Sequence, residues 1–204
     1  MRSMLILLTV TSLASPVYAD EVRSFGYARL GYGGLFAGPV RHAPAIGFGY
    51  RGELENFALD VSFLNYVIGG DPYATGTQVF AGSVLRLQAL RFLNGEADQS
   101  MYVGGGLSWG GVSLGRTSTS TSYLSTWHGG GLQAEATVGY EITRSSPVRI
   151  FVQADVGLPF FYARSETYPN ARTPIGIPPT STSERRYIPS AAVSLGIGWQ
   201  RHRP

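Results

Sequence analysis

The sequence predicts an all-β protein, an eight-stranded antiparallel up-and-down transmembrane β-barrel, and three observations predict it. First, stretches of about ten residues alternate between large apolar side chains and small or polar ones, as in Ala191-Ala192-Val193-Ser194-Leu195-Gly196-Ile197-Gly198-Trp199-Gln200. A half-buried strand of a water-soluble protein sets apolar against charged, because its outer face meets water. A strand between lipid and a narrow lumen alternates as this one does. Second, the chain is 12% aromatic but only 14% charged, too little charge for a small surface covered by water. Third, the connections between the alternating stretches are short and long in turn, as barrel turns and loops are on the two sides of an outer membrane.

The elements follow in order. Met1-Arg2-Ser3 is a short positive start, Met4 to Leu13 is an apolar run too short to span a bilayer, and Val17-Tyr18-Ala19 offers a small-residue cleavage site. Residues 1–19 are therefore expected to be a signal peptide and residues 20–204 the barrel domain. The first strand, Ser24 to Gly33, points Ala28, Leu30 and Tyr32 to lipid and Tyr27 and Arg29 inward. The second, Ala43 to Leu54, sets Ile46, Phe48, Tyr50 and Leu54 against Ala45, Gly47, Gly49, Arg51 and Glu53. The third, Phe57 to Ile68, sets Phe57, Leu59, Val61 and Phe63 against Ala58, Asp60 and Ser62, and the fourth, Thr77 to Phe92, sets Leu85, Leu87 and Ala89 against Arg86 and Gln88.

The fifth strand, Met101 to Ser113, turns Met101, Val103, Leu107 and Trp109 outward and Gly104, Gly106 and Ser108 inward. The sixth presents Leu132, Ala134, Ala136, Val138, Tyr140 and Ile142 opposite Gln133, Glu135, Thr137, Gly139 and Glu141. The seventh presents Val148, Ile150, Val152, Ala154, Val156 and Leu158 opposite Arg149, Phe151, Gln153, Asp155 and Gly157. Ala191 to Gln200 is the eighth. On this alternation Val152→Arg is expected to damage folding far more than a change at Gln153.

Residues 55–56, 93–100 and 143–147 read as short turns, and 34–42, 69–76, 114–128 and 163–187 as longer loops. An even strand count then leaves both termini on the periplasmic side, in a bacterial outer membrane. Tyr32, Tyr66, Trp109, Trp127 and Phe160 to Tyr162 gather at the outer strand ends, and Phe57, Tyr140 and Trp199 at the inner ends, as interfacial girdles do. Cysteine is absent, which excludes disulfides, thiol catalysis and an acylated cysteine anchor. All 16 basic side chains besides histidine are arginine, and they are scattered rather than gathered into a stripe, so the net charge of +3 does not point to nucleic acid.

With this pattern the chain resembles the small eight-stranded outer-membrane barrels, the class of OmpA- and OmpX-type transmembrane domains. The resemblance rests on residues 23–200 and on a last strand ending in an aromatic, Trp199, as that class's assembly signal does. It implies recognition by the barrel assembly machinery during biogenesis. The extension Gln200 to Pro204 departs from the pattern, and no peptidoglycan-binding domain follows. A soluble binding barrel is the main competitor, and it would carry the opposite polarity, with apolar side chains filling the lumen.

The charged residues expected in the lumen are Arg51, Glu53, Asp60, Arg86, Glu135, Glu141, Arg149 and Asp155. A two-residue turn at Glu55-Asn56 puts Arg51 opposite Asp60. Matching Ile142 with Val148 puts Glu141 opposite Arg149 and Glu135 opposite Asp155, two like charges that call for Arg86 between them. Eight strands leave an interior that side chains fill, so these groups are read as a polar plug. Arg164, Arg172, Arg185 and Arg186 in the longest loop are candidates to contact the phosphates of lipopolysaccharide.

No catalytic, cofactor or metal site is expected. His42, His128 and His202 are the only histidines; His128 is followed by three glycines and Asp71 by Pro72, so no nucleophile, base and orienting group can be assembled. Glycine runs at 104–106 and 129–131 are followed by no lysine and no helix pattern, which excludes phosphate loops. The expected function is that of a non-enzymatic, monomeric outer-membrane barrel, partnered by membrane lipid and lipopolysaccharide, that presents loops for envelope integrity, adhesion or surface binding. The alternatives are a narrow porin-like channel for small solutes and a lipid A modifying enzyme.

Overall fold

The computed structural model describes residues 23–36, 40–68, 78–117, 123–169 and 184–200. The expected signal peptide, Asp71, Arg172 and His202 lie outside them. The chain forms ten strand segments: β1 (Arg23–Phe36), β2 (Val40–Leu54), β3 (Phe57–Ile68), β4 (Gln78–Phe92), β5 (Ser100–Thr117), β6 (Tyr123–Glu141), β7 (Val148–Pro159), β8 (Ala163–Pro169), β9 (Arg185–Arg186) and β10 (Ser190–Gln200). Each pairs antiparallel with its neighbours in the order β5-β4-β3-β2-β1-β10-β7-β6, and β5 pairs β6 to close the ring. The barrel has eight staves, because β8 prolongs β7 along β6 and β9 prolongs β10 along β8.

Period-2 patterning produces this arrangement directly. Along β10 the side chains alternate buried and exposed from Ala192 to Trp199, with Val193, Leu195, Ile197 and Trp199 outward and Ser194, Gly196 and Gly198 inward. The other staves repeat the pattern: Leu59, Val61, Leu87, Val138, Val152 and Val156 are exposed, whereas Arg51, Asp60, Arg86 and Asp155 are buried. A surface with apolar outside and charge inside is stable only in hydrocarbon, and closure leaves no unpaired strand edge in the bilayer. Inward glycines make room for rings that cross the lumen. A Cβ on Gly196 would run into the Phe151 ring, and one on Gly49 into the Tyr27 hydroxyl.

Three connections differ from the sequence expectation. The loops expected at 34–42, 114–128 and 163–187 are partly strand, since β1 runs to Phe36 and β2 starts at Val40, β5 runs to Thr117, β6 starts at Tyr123, and β8 and β9 extend the wall further. Pairing above the membrane satisfies backbone donors and acceptors that a loop would leave to water, and Ser/Thr segments accept a strand readily. Between β7 and β8 the ladder on β6 is interrupted over Phe160–Tyr162, with one bond, Phe160 N to Leu132 O at 3.0 Å, kept across the break.

The inward side chains form three storeys. The lowest is aromatic and charged, with Phe25, Tyr27 and Phe151 beside Leu90, Phe92 and Tyr102. Ion pairs occupy the middle. The uppermost storey is apolar: Leu35, Leu64, Tyr66, Val84 and Ile188 pack together with four alanines, and Val112 and Trp127 close against them. A cavity of about 20 Å³ lies among Tyr66, Val84, Val112, Phe161 and Ile188, room for about one water molecule.

Candidate functional site in the barrel lumen

Arg51 sits at the centre of the lower network. Its Nε lies 2.9 Å from Asp60 Oδ2, its Nη1 3.5 Å from Glu141 Oε2, and its Nη2 donates to Gln153 Oε1 at 3.4 Å. The two-residue turn sets the first of these contacts, because Arg51 and Asp60 are directly opposite in the β2–β3 register. Four aromatic rings surround the guanidinium, with Phe151 at 4.8 Å and Tyr102 at 4.9 Å closest, then Tyr27 and Phe25. Their π faces partly replace the water that the cation loses on burial. The Tyr27 hydroxyl donates to Asp60 Oδ1 at 2.7 Å, fixing the carboxylate for Arg51.

The middle network is built around Arg86, which donates from Nη1 to Asp155 Oδ2 and from Nη2 to Glu135 Oε2, both at 2.7 Å. Arg29 adds a second cation to Asp155 at 3.2 Å. The hydroxyls of Thr137 and Ser108 donate to Asp155 Oδ1 and Glu135 Oε1, each at 2.6 Å. Gln153 joins the networks: its oxygen accepts from Arg51 and from Tyr102 at 2.9 Å, and its amide donates to Asp155 at 2.7 Å. Gln153 is therefore not the forgiving position that alternation alone suggests.

The β6–β7 register corrects the sequence expectation. Glu141 stands opposite Phe151, Thr137 opposite Asp155, and Glu135 opposite Gly157, two residues away from the expected match. The hairpin pairs Ile142 with Ile150 rather than with Val148, through Ile142 N to Ile150 O at 2.8 Å, and the Thr143 hydroxyl holds Val148 O and Ile150 N. A slip of two preserves which face each side chain takes. It also removes the like-charge confrontation, since Asp155 now faces a hydroxyl. Arg149 still reaches Glu141 diagonally at 2.6 Å and touches Glu53 at 3.4 Å.

Arg144 enters from the short turn at 143–147, a role the sequence did not signal. It donates to the carbonyls of Glu55, at 2.6 Å, and of Gly95, lies 3.5 Å from Glu53, and stacks over Phe92 at 3.9 Å. Three turns are thereby tied across the short-turn end of the barrel. Beside it, the Ser145 hydroxyl and amide hold the exposed Asp98 carboxyl below its ordinary range. Among the described residues the buried charges are Arg29, Arg51, Arg86, Arg144 and Arg149 against Glu53, Asp60, Glu135, Glu141 and Asp155, five of each sign.

The outer arginines are not one group. Arg164 and Arg185 are exposed and face each other across the β8–β9 ladder, whereas the guanidinium of Arg186 lies over the Trp127 ring at 4.7 Å. His42 stacks on Tyr32 with 5.8 Å between ring centres, and His128 lies opposite Ser113 and Arg164 on its two neighbouring strands. Among the described residues no three His, Asp or Glu side chains are placed to hold a metal ion.

No protein-family model matches the chain, and no curated protein matches it in sequence. Solved structures do resemble it. Neisserial surface protein A matches with a TM-score of 0.61 at 10% identity, over 87% of this chain and 97% of that one. Ail, the attachment invasion locus protein of Yersinia pestis, matches with a TM-score of 0.53 at 12% identity, over 89% and 99%. Ail in complex with the heparin analogue sucrose octasulfate matches equally well, at 13% identity. At such identities the likeness is one of architecture, and it agrees with the closed ring, the apolar outer face and the charged interior: the chain has the fold of the small eight-stranded outer-membrane barrels.

Proposed function

We propose that this chain is a non-enzymatic outer-membrane barrel, with both termini periplasmic, whose rigid wall presents outer loops for envelope integrity, adhesion or surface binding. Its lumen is a plug rather than a path. The observation that supports this reading is the balanced ion-pair network of inward side chains, Arg86 between Glu135 and Asp155 among them, with an apolar storey packed beyond it. An ion entering would meet no excess charge of either sign, and would have to separate pairs whose partners are already desolvated. Membrane lipid and lipopolysaccharide surround the barrel in this reading, and the assembly machinery recognises its last strand.

The test is single-protein current in a planar bilayer at high salt. The unaltered protein is expected to give no stable open steps, and Arg86→Ala to give small ones by removing the side chain that spans Glu135 and Asp155. Large open steps in the unaltered protein would overturn the plug and establish a channel.

A further inference from the structure

We propose that Arg164 and Arg185 form a phosphate-binding site on the outward face of the outer rim, and that it holds a phosphate of an outer-leaflet acyl glycolipid. The inference rests on the outer-membrane reading and names the chemistry that one edge of the barrel recognises. The β8–β9 ladder sets Arg164 directly opposite Arg185, and the β6–β8 ladder sets Arg164 opposite His128. Directly opposed residues of an antiparallel ladder lie about 4.5 to 5.5 Å apart at Cα and share a face, so two guanidiniums and an imidazole stand in one row. All three residues are exposed.

Like charges directly opposed weaken a ladder. Among the described residues neither Arg164 nor Arg185 is ion-paired with a carboxylate, so none of these residues relieves the opposition. An anion set between the two forks would relieve it, and phosphate oxygens match guanidinium geometry with two bonds per fork. Arg186 is excluded from the row, because it lies over Trp127, which neighbours the inner apolar storey.

The position selects a lipid over a soluble anion. One outward step below the row, Tyr162 packs edge-on against Tyr187 at 6.0 Å, and Phe160 follows, 66% exposed. Aromatic side chains of this kind mark the level of the headgroups. A molecule held by Arg164 and Arg185 thus has an apolar wall directly beneath its phosphate, where an acyl chain can lie.

The experiment is native mass spectrometry of the folded protein in detergent micelles, titrated with bisphosphorylated lipid A and with the same lipid after phosphatase treatment. The unaltered protein is expected to retain the phosphorylated form preferentially. Arg164→Ala with Arg185→Ala should abolish the preference, with a loss of about fivefold per charge removed, whereas Arg91→Ala at the opposite edge should leave it unchanged. Arg164→Lys with Arg185→Lys should retain part of the affinity, as charge without the fork would, and it stands in should the alanine pair fail to fold. Equal retention of both lipids by the unaltered protein, or unchanged retention by the double variant, would overturn the site. Retention of sucrose octasulfate in place of the lipid would overturn the lipid assignment. Absence of the folded barrel's heat-dependent gel shift in the unaltered protein would instead refute the barrel reading on which the site rests.

Discussion

Replacing Arg86 with methionine keeps most of its volume and removes its charge, which isolates the electrostatic share of the middle network. Both carboxylates it serves are buried, so solvent screening offers little relief. Asp155 retains Arg29 at 3.2 Å and the donors Thr137 and Gln153, but Glu135 is left with the Ser108 hydroxyl alone. One nearly orphaned buried carboxylate corresponds to a loss of roughly 3 to 5 kcal/mol. Glu135→Gln leaves Arg86 its second carboxylate and a neutral acceptor, and should cost about 1.5 to 3 kcal/mol. In the double variant the orphaned charge is gone, so the combined loss should fall below the sum of the singles by about 2 kcal/mol. The assay is reversible urea unfolding in lipid vesicles, followed by tryptophan fluorescence. Losses that add without remainder would refute the claim that these two groups form one unit.

Three further outcomes are expected. Val152→Arg places a charge on the lipid face and should cost roughly 2 to 4 kcal/mol near the midplane, measured by the same unfolding assay against Val152→Leu; a harmless arginine there would contradict the outward assignment. Arg144→Ala should free the short turns it ties, read as faster amide exchange at Gly95 and Asn56 with exchange in the strands unchanged; equal protection would deny that Arg144 ties the turns together. Because the Asp98 carboxyl is held below its ordinary range, its contribution is present above the ordinary carboxylate pKa and is lost as pH falls through its lowered value. Asp98→Asn should therefore flatten the acid limb of the stability profile, and an unaltered limb would exclude this linkage.

Which face each residue takes was legible, because one parity governs a whole strand and a single misplaced step in β2 would turn Arg51 and Glu53 into lipid together. The Arg51–Asp60 pairing was legible too, since a two-residue turn leaves no slack. The β6–β7 match was not. A slip of two residues preserves parity, and the five-residue turn at 143–147 allows it, so patterning is blind to the difference between Thr137 and Glu135 opposite Asp155. The apolar upper storey escaped notice because Leu64 and Tyr66 sit in Phe63-Leu64-Asn65-Tyr66-Val67-Ile68, where both faces are apolar and alternation fades. Arg144 escaped because its partners are backbone carbonyls of distant turns, which no side-chain pattern announces.

The ion pairs also bear on how the barrel comes into being. Several of them are chords across the ring rather than rungs between adjacent strands: Arg86 on β4 meets Asp155 on β7, 69 residues on, and Arg29 on β1 meets the same carboxylate 126 residues away. A sheet that has formed only β1 to β4 carries Arg29 and Arg86 with no counter-charge, and cannot sink into hydrocarbon without stranding them. The wall's own hydrogen bonds reward each added strand in turn, but Arg29 and Arg86 meet their shared carboxylate, Asp155, only once β7 has joined. Burying the first four strands in hydrocarbon is thereby coupled to the arrival of β7, the strand that carries the carboxylate both cations share.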